Sequence, residues 1–303
     1  MANEIRLDNR VAIITGAGAG LGRSHALAMA ARGAKVVVND LGGRMDGTGA
    51  ARSAADGVVD EIRAAGGEAV ANYDSVATPE GGRAIVQAAV DAFGTVDIVV
   101  NNAGIILYKR FMDHTPEDFA SNLAVHLSGS FYVSQAAFPI MKEKRYGRLV
   151  FTSSSGGLRG GADVVAYGAA KAGVMGLAFV MALTGAPYNI FSNVILPNAY
   201  TRMTEGVVAE RNMEKLSPGF ISPIVVYLSS ERCTLNHEMF ACGAGTVART
   251  IIALAQGWRA ESKAELTPEA IHDHLAEIMD MTNYANPQNS EEETRLVAGR
   301  RRK

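Results

Sequence analysis

A doubly wound parallel α/β sheet of about seven strands, with a helical C-terminal extension, is the fold class that this 303-residue sequence predicts. Three observations carry it. Short β-branched apolar runs alternate with longer Ala-, Leu- and Met-rich stretches over roughly the first 245 residues. The runs are almost continuously apolar, as strands covered on both faces are. A glycine-rich turn joins the first run to the first helical stretch, which is where such sheets take a ligand.

The strands follow in order. Val11-Ala12-Ile13-Ile14 is the first and Lys35-Val36-Val37-Val38-Asn39 the second. Glu68-Ala69-Val70-Ala71 is a short third, and Val96-Asp97-Ile98-Val99-Val100 the fourth. Arg148-Leu149-Val150-Phe151, Ile190-Phe191-Ser192-Asn193-Val194-Ile195 and Glu238-Met239-Phe240-Ala241 complete the set. Gly22 to Arg32, Ala51 to Ala65, Phe111 to Met141 and Ala166 to Leu183 read as helices between them.

A domain boundary is expected at 257/258. Beyond it, Thr267-Pro268-Glu269 looks like a helix start, with Thr as N-cap and Pro in the first turn. Ile271, Leu275, Ile278 and Met279 then form an apolar stripe at helical spacing. Ser290-x-x-Glu293 resembles a capping box that opens a last short helix after a loop.

Composition excludes several classes. Hydrophobic residues make up 48% and charged residues 20%, too apolar for a disordered chain. The net charge of -2 lacks the basic footprint of a nucleic-acid binder, and Arg300-Arg301-Arg302-Lys303 reads as a solvated tail. Cys233 and Cys242 match no zinc spacing and are expected as reduced thiols in or near the core. No window is expected to span a membrane, the N-terminus lacks the apolar stretch of a leader, and the C-terminus is not Ser-Lys-Leu. A cytoplasmic location is the resulting expectation.

Thr15-Gly16-Ala17-Gly18-Ala19-Gly20-Leu21-Gly22 leaves the first strand and opens the first helix. Glycines let the backbone turn sharply against a pyrophosphate, and the helix N-terminus offers unpaired N–H groups. Gly16, Gly20, Leu21 and Gly22 are therefore candidate dinucleotide contacts in a Rossmann-type arrangement. Asp40 ends the second strand, where a carboxylate accepts from the adenosine ribose hydroxyls and repels a 2′-phosphate; this favours NAD. Asp74, after the third strand, is a candidate for the adenine end or a turn residue.

Tyr167-Gly168-Ala169-Ala170-Lys171 sets a phenol and an ammonium on one helical face. A tyrosine titrates near 10, and a neighbouring ammonium favours its phenolate. Ser154 lies 13 residues earlier, just past the fifth strand, with Ser153 and Ser155 beside it; which serine faces the site is a matter of pleat and turn. Asn101-Asn102-Ala103-Gly104 adds a polar cluster at the end of the fourth strand.

With these residues in place the chain resembles the short-chain dehydrogenase/reductase family over its first 245 residues or so. The resemblance implies Tyr167 as general acid/base, Lys171 as the cation that lowers its pKa and holds the nicotinamide ribose, and Ser154 as the group that orients the substrate oxygen. It also implies cofactor contacts at Asp74, Ser75, Val76, Asn102, Ala103, Gly104, Pro197 and Thr201. Where most members carry asparagine in an N-x-x-G-x-F string, this chain has His126-Leu127-Ser128-Gly129-Ser130-Phe131. His126 is then either a proton-relay residue or a structural histidine.

Longer strings, Val38-Asn39-Asp40-Leu41-Gly42-Gly43, Ala71-Asn72-Tyr73-Asp74-Ser75-Val76 and Arg202-Met203-Thr204, are similar to the NAD-dependent (3R)-hydroxyacyl-CoA dehydrogenase domains of peroxisomal multifunctional enzymes type 2 and their bacterial relatives. That narrower resemblance implies a (3R)-3-hydroxyacyl-CoA substrate of fatty-acid or steroid side-chain β-oxidation. The alternative is a free hydroxysteroid or another secondary alcohol, and the expected partners are a small-molecule substrate and one or three further copies of the chain. Arg159, in the Leu158 to Asp163 stretch at the expected substrate lip, is a candidate contact for CoA phosphates.

Overall fold

The structure, a computed structural model, describes residues 4–204 and 213–299. The basic run Arg300–Lys303 lies outside them. The sheet strands are β1 (Val11–Thr15), β2 (Lys35–Asn39), β3 (Ala69–Asn72), β4 (Ile98–Asn101), β5 (Gly147–Thr152), β6 (Ile190–Pro197), β7 (Met239–Gly243) and β8 (Thr246–Thr250). Their order is β3-β2-β1-β4-β5-β6-β7-β8. Every pairing from β3 through β7 is parallel, with Val11 beside Lys35 and Ile98 beside Arg148. The chain reverses direction of winding at β1/β4, the switch point where open α/β sheets bind ligands.

The continuous apolar runs have a direct physical cause. Ala12, Ile14, Val36 and Val38 point to one face, against α1 (Gly20–Ala30), α2 (Ser53–Ala64) and α8 (Ser222–Leu228). Val11, Ile13, Val37, Leu149 and Phe151 point to the other, against α3 (Pro79–Phe93), α5 (Gly129–Lys144) and α7 (Val165–Gly185). Alternate residues along one strand serve two cores, so neither set can be polar. Both cysteines are free and buried, as expected.

The structure corrects several expectations. The sheet has eight strands rather than seven. Ala244 and Gly245, both at positive φ, make a two-residue turn from β7 into β8, the geometry of a type I′ hairpin. Residues 246–249 are exposed, so no apolar run announced the strand. The stretch from Phe111 is not one helix. It comprises a 3₁₀ turn (Phe111–Asp113), α4 (Pro116–Leu123), a π-helical turn (Ala124–Ser128) and α5, with Thr115 and Asp118 forming a capping box. The segment Val165–Tyr188 is, against expectation, long and apolar enough to cross a membrane by length and composition. Here it packs Ala170, Val174 and Ala178 on the sheet and carries Tyr167 and Lys171.

The chain divides into two compact units, Met1–Arg249 and Thr250–Lys303, earlier than the expected 257/258. The second unit contains a small antiparallel pair as well as helices: β9 (Leu254–Ala255) pairs with β10 (Tyr284–Ala285). Thr267 does cap α9 (Pro268–Asp273), accepting from the Ala270 N–H. The apolar stripe, however, is broken at His274, which stacks on Trp258, and α10 (Leu275–Met279) follows as a separate turn. Ile271, Leu275 and Met279 are exposed. The cap of α11 (Ser290–Gly299) falls on Asn289 instead of Ser290, since Asn289 Oδ1 accepts from Glu292 N and Glu292 accepts from Gln288 N.

Helix α1 is tied to α8 by buried polar groups. His25 Nδ1 and Ser24 Oγ both meet Ser222 Oγ, at 2.9 and 2.7 Å. Burial drives the His25 pKa from 6.5 down to about 3. Between those values the unfolded chain binds a proton that the folded chain refuses, so stability falls as pH falls from 6.5 toward 3. His25→Gln is expected to give a shallower decline of the urea midpoint across that window; identical pH slopes for the two proteins would refute the assignment.

Candidate active site

The site is built on the C-terminal ends of β1, β4 and β5. At the first, Gly16 has φ +64° and stands so close to β4's exit that a Cβ there would lie 2.7 Å from Ala103 Cα. Thr15 Oγ1 accepts from the Asn102 and Ala103 N–H groups, both at 3.0 Å. The Asn102 side chain donates back to the carbonyls of Thr15 (3.0 Å) and Gly16 (3.1 Å). Asn102 therefore fixes the turn, while Asn101 supports it from below by donating to Ser134 Oγ on α5. Gly22 is not on the cavity wall. A Cβ on it would collide with the Gly16 carbonyl and lie 2.7 Å from Asn102 Nδ2, so its part is to let α1 start against the turn.

A cavity of about 380 Å³ runs along this rim. Gly16, Gly20, Leu21, Asp40, Asp74, Ser75, Val76, Asn102, Ala103, Gly104, His126, Tyr167, Lys171, Pro197 and Thr201 all line it. The Asp40 carboxylate accepts from Gly18 N (2.7 Å) and Gly42 N (2.6 Å), which clamps it against the turn and leaves lone pairs for ribose hydroxyls. Turn, open helix N-terminus and fixed carboxylate together fit a nicotinamide dinucleotide.

At the other end stands the cluster of candidate catalytic residues. Lys171 is buried and donates to the Thr152 carbonyl at 2.6 Å. Its Nζ lies 5.6 Å from the centre of the Tyr167 ring. Ser153 lines the cavity, whereas Ser154 is not among its lining residues. Ser153 is buried and bonds the Lys171 carbonyl at 2.7 Å. Ser154 caps α6 (Ser155–Arg159) by accepting from Gly156 N, and its hydroxyl pairs with the Tyr167 phenol, drawing that pKa down. Burial outweighs this and pushes Tyr167 up overall; it also takes Lys171 down to about 7. Protein burial thus opposes both charges, and a phenolate needs the ammonium beside it to form.

His126 sits in the π-helical turn, edge-on to Tyr167 with ring centroids 5.3 Å apart. Its Nε2 meets both the Ile105 carbonyl, at 2.7 Å, and the Ile105 N–H, at 3.2 Å. Among the described residues its Nδ1 is buried without a partner. Burial first, and the Lys171 charge second, hold the imidazole well below 6.5, so it is neutral. Gly104 makes room for the ring: a Cβ there would press on His126 Cε1 and lie 3.0 Å from Nδ1.

Sequence reasoning missed several wall residues. Arg44, Met45 and Gly47 line the cavity from the loop after β2, which is held by a bond from Ile106 N to the Met45 carbonyl. The glycines of Leu41 to Gly49 were the available signal. Arg159, at the end of α6, does not line the cavity, whereas Arg202 does. Tyr108 donates to the Met203 carbonyl at 2.9 Å, and Lys109 N to that of Asp163, so the segment after β4 joins both lips.

Residues 10–212 match the short chain dehydrogenase family. The chain is 46% identical over 299 residues to the peroxisomal multifunctional enzyme type 2 of Mus musculus, which covers 97% of this chain and 40% of that protein. It is 38% identical over 256 residues to a hydroxyacyl-CoA dehydrogenase of Mycobacterium tuberculosis, 78% of each being covered. Among solved structures, full-length peroxisomal multifunctional enzyme type 2 from Drosophila melanogaster superposes with a TM-score of 0.82 at 38% identity, over 97% of this chain and 50% of the other. The chain therefore spans about half or less of the multifunctional enzymes it resembles.

Exposed helical glycines normally gain up to about 1 kcal/mol on replacement by alanine. Gly22→Ala is expected to reverse that sign, with an overpacking cost of about 1–3 kcal/mol and a matching loss of NADH affinity, read by fluorescence titration. Unchanged affinity would remove the close approach as a requirement.

Proposed function

The chain belongs to the short-chain dehydrogenase family, oxidoreductases that act on CH–OH groups, and on that premise we propose that it oxidises a (3R)-3-hydroxyacyl-CoA to the 3-oxoacyl-CoA with NAD. The observation that carries the reading is the meeting of Tyr167, Lys171 and His126 at one end of a cavity whose other end holds the clamped Asp40. Similarity to the hydroxyacyl-CoA dehydrogenase supports the thioester, and Arg202 on the cavity wall is the cation we assign to the CoA phosphates. Asp40 supports NAD over NADP.

NAD, when bound, supplies the hydride acceptor and a positive ring charge beside the phenol. The protein's own part is proton handling and orientation. Ser154 and Tyr167 hold the substrate hydroxyl from one side, and Tyr167 takes its proton as the carbon loses hydride. The Lys171 ammonium is held by the Thr152 carbonyl and stabilises the phenolate electrostatically. Two of its three N–H donors remain for the nicotinamide ribose and a proton path. In that path neutral His126, edge-on to Tyr167, is the relay group we assign, in the slot that asparagine takes in most of the family. Exposed Phe131 on α5 and Val180 and Leu183 on α7 support pairing of those helices in a homodimer or homotetramer.

Two experiments test this. NAD reduction with matched (3R)- and (3S)-hydroxyacyl-CoA is expected for the R series only, with a loss of about 10²–10⁴-fold in Tyr167→Phe. Turnover of free steroid alcohols with no thioester activity would replace the substrate assignment. For His126, the asparagine variant is expected to keep most activity, while His126→Leu loses about 10- to 100-fold in kcat with little change in KM. Equal losses in both would make the histidine a packing residue.

A further inference from the structure

The adenosine end of the cavity rests on two asparagines to which the catalytic reading gives no part. Asn39 closes β2 and Asn72 closes β3, side by side in register and both buried. Asn39 Nδ2 donates to Asn72 Oδ1 at 2.8 Å and to the Asp74 carbonyl at 2.9 Å. The Asp74 N–H donates to the same Asn72 oxygen at 3.1 Å. With two donors aimed at it, that end of Asn72 must be the oxygen; flipping the amide would set N–H groups against each other. The Nδ2 end is thereby turned to the Asp74 carboxylate and donates to Oδ2 at 2.8 Å.

The consequence lies at the other carboxylate oxygen. Asp74 Oδ1 has no protein donor among the described residues, and Asp74 lines the cavity. β3 is the outermost strand, on the far side of β1 from Tyr167. A dinucleotide whose nicotinamide is at Tyr167 and whose adenosine ribose is at Asp40 therefore brings its purine to Asp74. A carboxylate only accepts, so it pairs with a 6-amino group and opposes a 6-oxo group.

We propose that Asn72, braced by Asn39, is a positioning residue that aims Asp74 Oδ1 at the purine and makes the site select adenine over a 6-oxopurine. This rests on the dinucleotide reading above. The amide removes the rotational freedom of the carboxylate, so the acceptor is in place before the base arrives. Neither asparagine touches the reacting atoms.

The test compares the Kd of NAD with that of nicotinamide hypoxanthine dinucleotide, its 6-oxo analogue, in the full-length wild type, Asn72→Ala, Asn39→Ser and Asp74→Ala. Wild type is expected to prefer NAD by roughly tenfold, the worth of one hydrogen bond to a charged group. Asp74→Ala brings the ratio near one, and Asn72→Ala and Asn39→Ser reduce it several-fold. Asn39→Ser, the milder change, carries the test where Asn72→Ala does not fold. Equal weakening of both dinucleotides in the asparagine variants, with the ratio intact, overturns the positioning role. A wild-type ratio that Asp74→Ala leaves unchanged overturns the purine contact beneath it, and failure of wild type to bind either dinucleotide overturns the cofactor reading itself.

Discussion

The segment from Asn101 to Ile105 is seated between the glycine turn and the π-helical turn, and that seat places both the turn and His126. Thr15 Oγ1 holds two of its N–H groups, and the Asn102 amide holds two carbonyls of the turn. On the opposite side, Asn101 fastens α5, and the Ile105 backbone meets His126 Nε2 through both its N–H and its carbonyl. Gly16, Gly22 and Gly104 are glycines because backbone or ring atoms already occupy the space of a Cβ. These are buried polar contacts in a low-dielectric rim, where losing one partner costs more than the bond itself was worth. Shifting this segment by an ångström would misplace the turn and the histidine together.

Charge in the Tyr167–Lys171 pair follows from the same burial. Desolvation alone would leave a neutral phenol and a lysine near its midpoint at pH 7, which is a poor base and a weak cation. An ammonium 5.6 Å from the Tyr167 ring centre favours the phenolate and works against that burial. The Thr152 carbonyl favours the ammonium, and Ser154 favours the phenolate. His126 cannot compete for the proton as a cation, because burial and Lys171 both disfavour its charged form. The neutral imidazole is the one state left to it.

What the sequence disclosed was local. The glycine turn, Asp40, and the Tyr167/Lys171 pair are short-range patterns whose geometry follows from one strand end or one helical face. The doubly faced strands were legible because both faces need apolar residues. β8 was not, since all but its last residue are exposed and its only signature is the turn at Ala244-Gly245. The π-helical turn hid inside an otherwise helical pattern, and the break at His274 came from stacking on Trp258, a contact between residues 16 apart. The roles of Ser153 and Ser154 depended on pleat direction. The Asn39–Asn72–Asp74 network depends on the register of two strands, which no single stretch of sequence encodes.

Discrimination between the two nicotinamide dinucleotides depends on how tightly Asp40 is held as well as on its charge. A surface carboxylate could swing aside for a 2′-phosphate at little cost. Asp40 cannot do so cheaply, because each oxygen accepts a backbone N–H and Gly18, where even a Cβ would lie 2.8 Å from Oδ2, closes the space behind it. Rotating it away would orphan two amides at the base of the glycine turn. Arg44 lines the same cavity, but Asp46 shares its field. A 2′-phosphate beside Asp40 would meet a fixed negative charge, which is the physical ground for the NAD proposed above.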